Sequence, residues 1–202
     1  MGNEPLIFVE VALTRDVPNN INQILNTERN PDRINKLNKA IFYSISNCQR
    51  GLDGISFGNY LIKDVVKFIQ SELPMIKEFF TLSPVPGFME WMKSSNNNLY
   101  NNINNHPSAK NLANNENLLN DLIRKYLLIS DRSDDRPNDP VTRFHIGNGA
   151  SMHQINFLAD TSKNAIKYGC SFMVNYKYDM NNIKNNQKRY ATDNKVSHKK
   201  NI

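Results

Sequence analysis

No run of apolar residues in this chain approaches the ~20 that a membrane-spanning helix requires, so neither a membrane span nor a membrane partner is expected. Cysteine is scarce. Cys48 and Cys170 stand too far apart and too few to build a disulfide framework, and neither belongs to a zinc-ligand spacing. That usage points to a reduced, intracellular, metal-free protein, cytoplasmic with the mitochondrion left open. The first residues lack a charged stretch, an apolar stretch and a small-residue cleavage site in that order, so no secretory signal is expected. Net charge is +6, but residues 183–202 carry Lys184, Lys188, Arg189, Lys195, Lys199 and Lys200 against Asp193 alone. The rest of the chain therefore has almost no net charge and no basic stripe, which argues against a nucleic-acid partner. Neither the Gly-x-x-x-x-Gly-Lys-Ser/Thr loop of nucleotide hydrolases nor the Gly-x-Gly-x-x-Gly dinucleotide fingerprint occurs. A Gly-x-Ser-x-Gly nucleophile turn is missing too.

Asparagine is abundant instead, with 33 in 202 residues. Length and an apolar fraction of 39% suit one α/β domain over 1–182 with a sizeable core. Leu6-Ile-Phe-Val-Glu-Val-Ala-Leu13 reads as a strand buried on both faces, and Lys39–Ser46 as a second. An amphipathic helix follows from Asn59 to about Leu73, then a strand over Lys77–Ser83 stopped by Pro84-Val85-Pro86-Gly87. Residues 95–117 read as a mobile low-complexity insertion without period, and 183–202 as a disordered basic tail. Leu118–Ile129 is a helix, Asp160–Tyr168 another, and Cys170–Tyr178 a last strand. Both cysteines adjoin strands and fit buried packing thiols.

Three places carry chemistry. The segment Asp53-Gly54-Ile55-Ser56-Phe57-Gly58-Asn59 joins a strand to a helix N-terminus, where free backbone N–H groups and the helix dipole suit an anionic phosphate. It also fits an ordinary strand–helix turn. Ile62, one turn on, lines the same site or packs inward. Ser83 ends an apolar strand before two prolines and a glycine, which would present its hydroxyl rigidly where open α/β sheets bind ligands; it also suits a plain turn start. His145 is the one histidine embedded in apolar sequence with a Gly/Asn turn directly after it, as a catalyst or as a satisfied core histidine. Asn148 orients that ring, stabilises a developing oxyanion, or takes the turn before Gly149.

Together these stretches resemble the malonyl-CoA decarboxylase family. The resemblance is most specific at Leu82-Ser-Pro-Val-Pro-Gly-Phe88 and Phe144-His-Ile-Gly-Asn-Gly-Ala150, and it also runs through Glu4–Thr14, Ala40–Ser46, Gln49–Gly54, Gly58–Lys63 and Ile155–Asp160. It implies a GNAT-like mixed sheet flanked by helices, lacking its first strands. It also implies cofactor-independent decarboxylation of malonyl-CoA to acetyl-CoA and CO2, within fatty acid metabolism. Ser83 and His145 then map onto the family's active-site serine and histidine. Residues 53–59 map onto the coenzyme A loop, with Ile62 a further contact. Asp53 departs from the family's uncharged glutamine beside the pyrophosphate. The family's upstream segment has no counterpart here, so an N-terminal segment or a second copy of the chain is the expected partner. Three other readings of the same residues are a non-catalytic acyl-CoA-binding fragment, an acyl-CoA-dependent acetyltransferase and a serine hydrolase.

Overall fold

A computed structural model of the chain describes residues 7–26, 36–47, 58–129, 131–200 and 202. The loop expected to meet phosphates lies mostly outside them: Asp53, Gly54, Ile55, Ser56 and Phe57 are not described, nor is Cys48. Gly58 and Asn59 open a helix.

The sheet contains β1 (Ile7–Thr14), β2 (Lys39–Asn47), β3 (Glu78–Thr81), β4 (Ser83–Pro84), β5 (Ser151–Asn156) and β6 (Met173–Lys177). β1 pairs antiparallel with β2, and β2 runs parallel to β3 from Lys39–Glu78 to Phe42–Thr81. β3 and β4 are one strand interrupted at Leu82, both antiparallel to β6, which carries β5 on the same sheet. This is the mixed sheet expected. β1 departs from expectation: it is an edge strand among the described residues, residues 8–14 are exposed or only partly buried, and Phe8 is 54% exposed.

Between the early strands lies α1 (Asn22–Leu25), and α2 (Gly58–Glu72) follows β2. α2 buries Ile62, Val66 and Ile69 at i, i+4 and i+7 against Ala40, Phe42 and Phe79 in the main core. Ile62 is 1% exposed and packs inward in the main core. A smaller core on the opposite sheet face joins Ile41, Phe80, Leu82, Ala159 and Met173.

The Asn-rich stretch is not the aperiodic insertion expected. It forms α4 (Asn97–Asn105) and α5 (Ala109–Asn114), set between α3 (Phe88–Ser95) and α6 (Glu116–Leu128). Leu99, Ile103 and Leu112 are buried in the main core. Asparagines supply the ends: the Asn96 side chain accepts from Leu99 N at 3.1 Å, and Asn111 Nδ2 donates to Asn102 Oδ1 at 2.9 Å. The remaining helices are α7 (Pro140–Gly147), α8 (Lys163–Gly169) and α9 (Ile183–Asp193). α9 corrects the reading of a disordered tail, because Ile183 and Tyr190 are buried in the core. Beyond it the chain returns to β5, where Met152 N donates to Ser197 O at 2.8 Å and Lys199 N to Met152 O at 3.0 Å.

Candidate active site

β2 and β3 separate at Leu82, whose N–H makes the last link to Phe42 O at 2.9 Å. From there β2 continues to Asn47 beside β1, while Ser83 and Pro84 pair only with Val174 and Met173 of β6. Two parallel strands thus part at their carboxyl ends, and Ser83 stands at the fork, where α/β sheets take up ligands. Its backbone is held from behind. Gly169 at the end of α8 lies so close to the Pro84-Val85-Pro86 segment that a Cβ there would come within 2.6 Å of Val85 O. Only glycine permits that approach.

The side chain opposite comes from α7. Asp139 caps this helix, accepting from Thr142 N at 2.6 Å, and Pro140 takes the first turn where its missing N–H is no loss. The sequence reading assigned no helix here. α7 points His145 inward, 3% exposed, with Nε2 3.0 Å from Ser83 Oγ. Residues 62 apart in sequence are therefore in hydrogen-bond contact. The ring stacks on Tyr176, centroids 4.5 Å apart, and its Nδ1 lies 2.8 Å from the Tyr178 hydroxyl. Ser83 Oγ also donates to Thr81 Oγ1 at 2.9 Å, and that oxygen accepts from Tyr176 N at 3.2 Å.

With the Ser83 proton on Thr81, imidazole Nε2–H donates to Ser83 and Tyr178 donates to Nδ1. Burial lowers the His145 pKa to about 3, so the ring is neutral before anything binds.

Thr81, Tyr176 and Tyr178 escaped the sequence reading. Their signal was the period of two: Thr81 and Ser83 share one face of their strand, and Tyr176 and Tyr178 share one face of β6 and its extension. A second buried row lies behind the first. The Tyr176 hydroxyl meets Thr142 Oγ1 at 2.7 Å, Thr142 Oγ1 donates to Asp139 Oδ2 at 3.0 Å, and the Tyr126 hydroxyl reaches Asp139 Oδ1 at 3.5 Å. Because the threonine proton goes to the carboxylate, Tyr176 must donate to Thr142. Burial raises the Asp139 pKa to about 6.

Asn148, at the end of α7, is 5% exposed, and its side-chain Nδ2 has no hydrogen-bond partner among the described residues. Cys170 is buried with its Sγ 3.1 Å from Met89 Sδ, and burial raises its pKa to about 12. None of the described helices is long and apolar enough to cross a membrane.

A mixed sheet with its parallel strands parted over a Ser–His pair is a GNAT-like architecture. GphF, described as a GNAT-like decarboxylase in complex with isobutyryl-CoA, superposes with a TM-score of 0.52 at 12% identity over 87% of this chain and 72% of its own, a likeness of fold alone. The crystal structure of malonyl-CoA decarboxylase from Rhodopseudomonas palustris superposes with a TM-score of 0.88 at 40% identity, over 99% of this chain and 49% of that one. Malonyl-CoA decarboxylase, mitochondrial, of Anser anser anser is 33% identical over 93% of this chain and 44% of its own length. The chain thus spans about half the length of the relatives it matches. The malonyl-CoA decarboxylase C-terminal domain family matches residues 1–202, and the chain belongs to it.

Proposed function

We propose that this chain decarboxylates malonyl-CoA to acetyl-CoA and CO2 with no cofactor. The observation that carries the reading is the 3.0 Å contact between Ser83 Oγ and His145 Nε2 at the fork of β2 and β3. The Ser83 hydroxyl donates to the substrate carboxylate and turns its C–C bond to overlap the thioester carbonyl. The bond between C2 and the carboxyl carbon then breaks, its electron pair flows toward the thioester oxygen as an enolate, and CO2 leaves. Protonation at C2 yields the acetyl thioester and consumes one proton from solvent. His145 delivers that proton. Its ring is neutral when the site is empty, and the anionic substrate beside it restores basicity by opposite charge at short range. Residues 53–59 receive the coenzyme A phosphates. The protein works inside the cell, in cytoplasm or mitochondrion.

The test is CO2 release and acetyl-CoA formation from malonyl-CoA by the full chain, its Ser83→Ala variant and its His145→Ala variant. Acid–base catalysis by histidine is worth about 10²–10⁴-fold, so His145→Ala should lose that much turnover while coenzyme A affinity persists. Turnover equal to the parent's in both variants sinks the assignment. The chain's half-length match to its relatives favours one second reading, an acyl-CoA-binding segment that needs a partner chain. Affinity for acetyl-CoA with no CO2 release would mark that outcome.

A further inference from the structure

The two carbonyls that flank Asn148 are both held by α9. Asn186 Nδ2 donates to Gly149 O at 3.0 Å, and Gln187 Nε2 to Gly147 O at 3.4 Å. Gly149 sits at φ +87°, and a Cβ there would come within 2.5 Å of the Ile183 carbonyl, so α9 presses directly on this turn. Gln187 is tied in turn to α2 through Lys63 Nζ at 3.4 Å. The backbone on either side of residue 148 is therefore fixed by side chains from another helix.

The Asn148 side chain takes no part in that clamp. It is 95% buried, and its Nδ2 has no acceptor among the described residues. A buried amide left unpaired bears the cost of its lost hydration, so folds rarely keep one without a use. Its position relative to the site follows from the helix. Asn148 keeps near-helical dihedrals, φ −84° and ψ 4°, and its N–H bonds to Phe144 O at 3.1 Å. It therefore follows His145 at the i, i+3 spacing, where side chains are neighbours with Cβ atoms about 5–6 Å apart. A rigid, desolvated N–H donor thus stands one turn beyond the imidazole.

We propose that Asn148 Nδ2 donates to the thioester carbonyl oxygen of the substrate and holds the enolate that forms as CO2 leaves. This rests on the decarboxylase reading above. In the reaction Ser83 holds the carboxylate that departs, Asn148 holds the oxygen that gains the electron pair, and His145 protonates C2. The three contacts address three different atoms of the malonyl thioester. Asn186 and Gln187 are positioning residues, because they act on the substrate only through the turn that carries Asn148.

Steady-state turnover of malonyl-CoA and thermal unfolding of the full chain and of Asn148→Ala decide the matter together. One preorganised oxyanion donor is worth about 10²–10³ in kcat, and that loss is expected with KM changed less than about threefold. Because the amide nitrogen has no partner among the described residues, its removal should leave the unfolding midpoint unchanged or raise it. Asn148→Asp, which replaces the donor with an acceptor at equal size, should lose at least as much kcat. A variant that keeps kcat within about threefold of the parent overturns the proposal. So does a clear drop in the midpoint of Asn148→Ala, which would show the amide engaged within the protein. An inactive parent instead removes the decarboxylase reading itself, and the role of Asn148 goes with it.

Discussion

At the scale of single residues, the site depends on hydroxyl groups that each have one proton to give. Tyr178 is the member whose removal tests this most cleanly. Its hydroxyl lies 2.8 Å from His145 Nδ1, on the far side of the ring from the nitrogen that meets Ser83. Tyr178→Phe keeps the ring and its burial but leaves Nδ1 unpaired in a residue 3% exposed. An unmet buried polar group costs about 1–3 kcal/mol, so the unfolding free energy should fall by that amount and the urea midpoint should fall with it. Turnover should fall as well, by roughly 10-fold or more, because the tautomer at Nε2 is no longer fixed. Unfolding at the parent's urea concentration would show that Nδ1 does not depend on this hydroxyl. Ser83 and His145 were legible in sequence for complementary reasons. Ser83 lies between a strand and two prolines, and His145 between apolar residues and an Asn-Gly turn. The hydroxyls that complete the row were not, since threonine and tyrosine on strands are explained equally well by β propensity.

At the scale of elements, α9 does more than close the chain. Ile183 and Tyr190 bury their side chains in the core, and Asn186 and Gln187 hold the end of α7. Ending the chain after Asn182 removes two large buried side chains, each worth about 1.5–3 kcal/mol. Thermal unfolding of that truncated chain should occur well below the parent, with turnover lost in parallel. Ending it after Asn194 should cost much less. Identical midpoints for the parent and the first truncation would return α9 to the status of a tail. The sequence reading missed this helix, and the helices at 97–114, for one reason. Asparagine and lysine dominate both stretches, and composition masked the spacing of Leu99 with Ile103 and of Ile183 with Gln187 and Tyr190. A helix needs only a few well-spaced apolar side chains when its asparagines cap ends and bridge to neighbours, as Asn96 and Asn111 do here. Four strand stretches were legible because apolar runs and turn residues bound them, whereas β5 (Ser151–Asn156), with Ser151, His153 and Gln154 breaking its apolar run, was not. β1 was over-read, because an apolar run does not show whether packing covers both faces of a strand, and Phe8 is 54% exposed.

At the scale of the whole molecule, two buried ionisable groups set opposite dependences of stability on pH. His145 has its pKa lowered to about 3 from 6.5, so below pH 6.5 the unfolded chain takes up a proton that the folded chain refuses. Its contribution is complete above pH 6.5 and is lost as pH falls. Asp139 has its pKa raised to about 6 from 3.8, so between those values the folded chain holds a proton that the unfolded chain has released. Its contribution is complete below pH 3.8 and is lost as pH rises toward 6. Each slope is at most about 1.4 kcal/mol per pH unit, and from pH 4 to 6 they nearly cancel. The environments behind them are different. Burial among Ser83, Tyr176 and Tyr178 keeps His145 uncharged. Burial also lifts Asp139 against Thr142, Tyr126 and Arg143, which all favour its carboxylate. Asp139→Asn keeps an oxygen to accept from Thr142 and cap α7, but it cannot titrate. Its stability, measured by urea unfolding at pH 6, 5 and 4, should fall toward acid by about 1 kcal/mol per unit more than the parent's. His145→Asn should show the reverse, gaining on the parent as pH falls. Other carboxylates, including Glu78 held low by Lys177 and Lys39, titrate alike in all three proteins and drop out of the differences. Parallel curves for parent and variants would mean that neither group is held in the charge state its burial demands.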